Sequence, residues 1–203
     1  MPKITDITQQ QRRKDRFSFF IDGTFRLSLS QNQLVDSRLR IGDEIAEERI
    51  EQLLATSEYG KVLDRTYNFI SYRMRSRQEV AQYLRRKGCD DELSGQVMDE
   101  LERRKVIDDK RFAQEWVEMR QLSAPRSRRQ LETELRQKGI ATTIIETVLA
   151  TTDPDEEIQI IIRLIHDKRL RQRYGDERKL IHHLSGKGFS YTTIKAALER
   201  LSD

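Results

Sequence analysis

The sequence predicts a mainly α protein: three tandem three-helix repeats forming an elongated curved array, preceded by a small N-terminal β-hairpin region. Three observations carry this expectation. After residue 46, apolar residues recur at three- and four-residue steps. Segments 76–98, 127–149 and 176–198 superimpose without gaps. Of 203 residues, 36% are hydrophobic and 35% charged. Compact domains have about 45–50% and 25%, so this chain has material for only a thin core.

The expected order is a mobile tail (1–15), a hairpin extension (16–45), a linker helix with repeat 1 (46–108), repeat 2 (109–152) and repeat 3 (153–203). Residues 1–15 show no apolar pattern. Arg16–Ile21 and Thr24–Ser30 flank Asp22-Gly23, a pair that supplies the positive φ angles of a tight hairpin. Phe25, Leu27 and Leu29 alternate with polar residues, as a strand with one covered face should. A lone hairpin is marginal in water, so a cover is required. Leu34, Val35, Leu39, Ile41 and Ile45 are the nearest candidates. A helical face of Ile50, Leu53 and Leu54 is expected to end near Ser57 to Gly60. A second follows with Val62, Leu63, Tyr67, Ile70 and Met74.

Each superimposed segment opens on a residue whose side-chain oxygen can accept an orphan amide: Ser76, Ser127 or Asp176. Glu79 and Gln130 follow at the spacing of a capping box. Val80/Leu84, Leu131/Leu135 and Leu180/Leu184 form one stripe. The helices then close on Lys87-Gly88, Lys138-Gly139 and Lys187-Gly188. The lysine suits the negative helix end and the glycine a left-handed cap. Another helix follows each cap, carrying Leu93/Val97/Met98/Leu101, Ile144/Ile145/Val148/Leu149 and Ile194/Ala197/Leu198/Leu201. Preceding helices are expected over Arg111–Gln121, and over Glu156–Asp167 with Asp153 as cap and Pro154 at its first position. Ser94 stands where Ile145 and Ile194 stand, so the last helix of repeat 1 should be shallower. Lys179 and Gly186 should make the second helix of repeat 3 the weakest.

Catalytic, cofactor and metal constellations are not expected. Gly60-Lys61 and Gly186-Lys187 lack the partner glycine of a phosphate-binding loop. His182 and His183 are adjacent rather than at the i, i+4 spacing of zinc ligands, and His166 stands alone. Cys89 fills the apolar place after a cap glycine, with acidic neighbours that disfavour thiolate. Asp90-Asp91 and Asp108-Asp109 sit at helix starts, where capping explains them. One cysteine permits no intrachain disulfide. No signal peptide is evident, and the densest apolar run, 158–165, is too short for a bilayer. A cytoplasmic monomer without a membrane partner is expected.

The net charge of +4 hides strong separation. Bases cluster as Arg75, Arg77, Arg85, Arg86 and Lys87 in repeat 1, and as Arg126, Arg128, Arg129, Arg136 and Lys138 in repeat 2. In repeat 3 they move upstream, to Lys168, Arg169, Arg171 and Arg173, with Lys187 at the cap. Acids concentrate between, at Asp90, Asp91, Glu92, Asp99 and Glu100. Basic faces seek polyanions or acidic protein surfaces. Arginines at helix starts oppose the local dipole, so a ligand or the flanking acids must compensate them. Trp116 and Phe112 read as core, and the aromatics do not interleave with the bases as single-strand stacking requires.

Arg75-Ser76-Arg77-Gln78-Glu79 with Leu84-Arg85-Arg86-Lys87-Gly88, followed by Val106-Ile107-Asp108-Asp109-Lys110-Arg111-Phe112-Ala113, resembles the RecX family of bacterial recombination regulators. Pro125-Arg126-Ser127 with Leu135-Arg136-Gln137-Lys138-Gly139 is similar to that family's next repeat, and the likeness covers about residues 60–201. The resemblance implies a modulator, usually an inhibitor, of the RecA recombinase. Such a protein lies in the groove of the RecA–DNA filament and impairs ATP hydrolysis, strand exchange and coprotease function, with no catalytic residue of its own. Two other classes fit the composition. One is a DNA-binding transcriptional or architectural regulator acting on single- or double-stranded DNA, and the other is a scaffold whose charges neutralise one another.

Overall fold

The computed structural model describes residues 1–123, 125–150 and 154–201. The protein is mainly helical, with a small antiparallel sheet at its N-terminal end. It divides into two compact units. The first holds Met1–Arg73 and Tyr83–Glu100, and the second holds Met74–Gln82 with the described part of Leu101–Asp203.

The first unit begins with three strands rather than two. β1 (Ile4–Gln9), β2 (Arg16–Ile21) and β3 (Thr24–Ser30) form a sheet in that order. Most of the expected mobile tail is therefore ordered. Its stability comes from main-chain pairing: β1 pairs along β2, and the Ile4 amide and carbonyl bond to Asp43 and Gly42. Ile4 is fully buried. The Asp22-Gly23 turn has the expected positive φ at both residues. Beyond it, Phe20 pairs with Phe25 and Phe19 with Leu27, so Arg26 is an extra residue and the ladder bulges. The bulge breaks the expected alternation. Leu27 and Leu29 are buried, whereas Phe25 is half exposed and packs edge-to-face on Phe20 at 6.0 Å.

The sheet's cover is also only partly as expected. Ile45 is buried and Leu34 and Leu39 are partly so, but Val35 and Ile41 point to solvent. Ile50 and Leu53 of α2 (Glu47–Ser71) supply much of the cover. A short helix, α1 (Gln31–Ser37), follows β3 directly, held by a capping box between Ser30 and Gln33. Helix α2 does not break at Ser57 to Gly60. Both residues face the interior: Ser57 Oγ donates to the Ser28 carbonyl at 2.7 Å, and a Cβ on Gly60 would lie 2.6 Å from Gln33 Nε2. What reads as a turn signal is a close approach. Arg16, almost fully buried, ties β2 to α2 by donating to Asp64 at 2.9 Å and to the Ser28 carbonyl at 2.8 Å.

The repeats contribute α3 (Arg77–Arg86) and α4 (Asp91–Arg103). α5 (Asp109–Ser123), α6 (Arg128–Gln137) and α7 (Thr142–Ala150) make the second. The third has α8 (Pro154–Asp167), α9 (Leu170–Tyr174), α10 (Glu177–Gly186) and α11 (Tyr191–Arg200). The third repeat thus holds one helix more than expected. Its basic run Lys168–Arg173 hides the one-turn pair Leu170 and Tyr174, of which Leu170 is buried. Asp153, expected to cap α8, lies outside the described residues, and α8 does begin at Pro154.

The expected stripes are buried: Val80, Leu84, Leu131, Leu135, Leu180 and Leu184 are all at most 3% exposed. Ser76, Ser127 and Asp176 accept amides at their helix starts as expected. Glu79 completes its capping box by accepting the Ser76 amide at 3.4 Å. Gly88, Gly139 and Gly188 have φ of +76°, +77° and +85°. In each case the next amide, of Cys89, Ile140 or Phe189, reaches back to Leu84, Leu135 or Leu184. Each second helix therefore closes on the same double hydrogen bond. Ser94 is half-buried where Ile145 and Ile194 are buried, as the sequence implied.

Candidate binding surface

Joins between successive repeats are built from the caps themselves. Ser76 Oγ, buried, donates to the Lys138 carbonyl at 2.7 Å, and Ser127 Oγ, also buried, donates to the Lys187 carbonyl at 2.8 Å. One hydroxyl thus caps its own helix and satisfies one carbonyl at the end of the equivalent helix in the next repeat. The adjacent amides follow the same rule: Arg77 N donates to Asp109 and Arg128 N to Glu157, acids at the starts of α5 and α8. Asp109 has its carboxyl pushed up by burial, against the downward pull of the Arg77 amide and guanidinium. These joins fix how consecutive second helices, and the bases on them, follow one another within the second unit.

Several candidate bases are occupied inside the protein. Arg77 pairs with Glu102 at 2.6 Å, Arg136 with Glu132 at 2.6 Å and Lys138 with Glu79 at 2.9 Å. Arg128 donates to the Leu149 carbonyl at 3.0 Å, closing the end of α7. Arg126 lies 3.5 Å from Glu134. Arg75 is half-buried ahead of α3. Arg77, Arg126 and Arg128 at the starts of α3 and α6 are therefore compensated internally, and their position alone does not require a ligand.

A second set is solvent-facing. Arg85 and Arg86 end α3, Arg129 stands in the first turn of α6, and Lys168, Arg169 and Arg171 surround the start of α9. All are exposed, with no ion pair among the described residues. Lys87 lies 5.7 Å over the Tyr83 ring, which stacks on Phe69 at 4.1 Å, and Arg173 lies 5.7 Å over Tyr174. Arg126 and Arg129 line a polar groove of about 510 Å³ with Ser185, Gly186 and Gly188 at the end of α10. A second hollow, about 380 Å³, brings together His166, Arg169, Arg171 and Leu201. Lys187 is half-buried.

Trp116 packs against the core as expected, stacked on Phe112 at 5.8 Å, and carries polar contacts besides. Phe112 is buried, but Trp116 is only partly so. Its indole N–H donates to Glu134 at 2.9 Å, and Arg120 and Lys138 lie 4.6 and 5.0 Å from its ring. Sequence spacing misses this because Lys138 reaches the ring only through the tertiary fold. His183 accepts from or donates to Tyr174 Oη at 2.9 Å. Its pKa is lowered by burial first, then by Lys187 and Arg173. Burial, then Glu58 and Asp90, push the Cys89 thiol up, against the pull of Arg65. No group of three or more His, Cys, Asp or Glu among the described residues is placed to hold a metal ion. No described helix is long and apolar enough to cross a membrane.

The fold and surface define a class: tandem helical units, each carrying exposed bases on its own framework, which follow a small sheet region in sequence. Three family profiles match in that order. "Regulatory protein RecX N-terminal domain" covers residues 2–46, "RecX, first three-helix domain" 63–101 and "RecX, second three-helix domain" 108–149. The protein called regulatory protein RecX in Oceanobacillus iheyensis is 30% identical over 210 residues, covering 99% of this chain and 77% of that one. Its namesake in Lactobacillus johnsonii is 33% identical over 202 residues, covering 99% and 69%. A crystal structure of a regulatory protein RecX matches the fold with a TM-score of 0.83 at 24% identity, over 98% of this chain and 100% of that one. That of RecX from Lactobacillus salivarius gives 0.67 at 25%, over 71% and 96%. The chain belongs to the RecX family of regulatory proteins.

Proposed function

We propose that this chain regulates the RecA recombinase as a cytoplasmic monomer. It binds the RecA–DNA filament and impairs ATP hydrolysis, strand exchange and coprotease function, without catalytic chemistry of its own. The observation that carries this reading, beyond family membership, is the recurrence in successive repeats of exposed bases with no ion pair among the described residues: Arg85 and Arg86, then Arg129, then Arg169 and Arg171. A ligand with its own repeat can be met several times over by such a chain. Linked weak contacts then multiply through effective concentration. The internally paired bases, Arg77, Arg128, Arg136 and Lys138, serve the framework and leave recognition to the exposed set.

The test is binding of the labelled chain to RecA assembled on single-stranded DNA, to RecA alone and to bare DNA, at two salt concentrations. Binding should favour the assembled filament and weaken with salt. Equal, steeply salt-dependent binding to bare DNA with no preference for the filament would replace this reading with the DNA-binding one.

A further inference from the structure

The two joins between repeats share one grammar, and repeat 1 carries the receiving half of it without a donor among the described residues. In repeats 2 and 3 the receiving half is a lysine carbonyl, a positive-φ glycine pressed against its neighbour, and an acid on the preceding helix. A Cβ on Gly139 would collide with the Gln78 side chain, and one on Gly188 would lie 2.6 Å from Ser127 Oγ. The acids, Asp109 and Glu157, accept the first amide of the incoming helix. At the first join, Lys138 Nζ also meets Glu79, three residues after the incoming cap.

Lys87 and Gly88 present the same end on α3. Gly88 has the same left-handed backbone, but beyond its own chain neighbours no atom of the described residues lies within 4 Å of its Cβ position. Among the described residues no donor reaches the Lys87 carbonyl. The matching acid is Glu58, which precedes Gly88 by the same spacing as Asp109 precedes Gly139. Glu58 is half exposed, loosely paired with Lys61 at 3.8 Å, and near enough to Cys89 to act on its thiol.

We propose that the Lys87-Gly88 end of α3, with Glu58, is a docking surface for the N-terminus of a partner protein's helix, one capped by serine or threonine with glutamate or glutamine three residues later. The cap hydroxyl donates to the Lys87 carbonyl, the first helical amide donates to Glu58, and the glutamate draws Lys87 Nζ away from Tyr83. The occupant is not a second copy of this chain. Its own exposed second-helix start carries Asp176, which has no hydroxyl proton to give the carbonyl, and Lys179, which sets a cation against Lys87. These two residues keep the array from adding to itself head to tail.

The test uses a full-length copy as probe: E58K/D176S/K179E, whose own receiving end is blocked and whose α10 start has the required chemistry. Glu58, Asp176 and Lys179 are all exposed, so the variant should melt like the parent. Labelled probe is titrated into the unmodified chain and followed by sedimentation velocity. The expected result is a one-to-one complex, weakened by about tenfold or more when the acceptor carries E58K or the probe reverts to Asp176 and Lys179. No complex at the highest soluble concentration with a folded probe would overturn the proposal. Equal binding to the E58K acceptor, or self-association of the unmodified chain through the same surface, would do so as well.

Discussion

Replacing Ser127 with alanine removes one oxygen that serves two helices, and the structure sets the size of the effect. Its Oγ accepts the Gln130 amide at 3.3 Å and donates to the Lys187 carbonyl at 2.8 Å from a fully buried position. Loss of an N-cap of this kind costs about 1 kcal/mol. Leaving the half-buried Lys187 carbonyl without its donor adds about 1 kcal/mol more. Asp176→Ala is the internal control, because Asp176 accepts the Arg178 amide at 2.8 Å but joins no further repeat. Its loss should cost about 1 kcal/mol or less. For a chain of this length each kcal/mol lowers Tm by about 2–4 °C. Thermal melts should therefore show a fall of about 4–8 °C for S127A and about half that for D176A. Amide exchange should speed up at Lys187 to Phe189 in S127A alone. Equal shifts for the two variants, or unchanged exchange at that cap, would refute the idea that the serine holds successive repeats together.

Other expectations follow from the same contacts. R129E should weaken binding to the RecA–DNA filament while changing stability by less than about 0.5 kcal/mol, since Arg129 is exposed. R128E should instead destabilise by about 1–2 kcal/mol, because it strips the Leu149 carbonyl and sets a carboxylate against a helix C-terminus. A melt alongside the binding assay separates the two. D109N should be neutral or stabilising at neutral pH, because the folded state holds the Asp109 pKa up by burial and an amide oxygen can still accept the Arg77 amide. D109A should destabilise by orphaning that amide, and paired melts decide. His183 has a depressed pKa when folded, so the unfolded chain binds the extra proton first. The stability it contributes is intact above the unfolded value and is lost as pH falls below about 6.5 toward the folded one. H183Q should flatten that part of a stability–pH curve.

The second helices were legible because every signal is local. Cap residue, apolar stripe and Lys-Gly ending lie within one segment, and the three copies reinforce one another. The features that escaped are those whose partner is distant in sequence. β1 has little apolar pattern to announce it and is held by main-chain bonds to β2 and residues 42–43. Gly60 and Ser57 look like a helix end, yet they let α2 approach Gln33 and Ser28. Phe25 leaves the expected face because one extra residue, Arg26, enters the ladder. The candidate bases show the same division. Their clusters were visible, but which of them are spent on Glu102, Glu132, Glu79 or the Leu149 carbonyl is settled only in three dimensions.

Action on RecA filaments through the exposed bases is the proposal that one assay tests most directly. The most direct measurement is the single-strand-DNA-dependent ATPase of RecA with increasing amounts of the chain and of an R85Q/R86Q/R129Q variant, which sets no carboxylate at the end of α3 and should melt like the parent. The parent should lower the ATPase, and the variant should need a markedly higher concentration to do so. An ATPase unchanged by the parent, or lowered equally by the folded variant, would contradict the proposal.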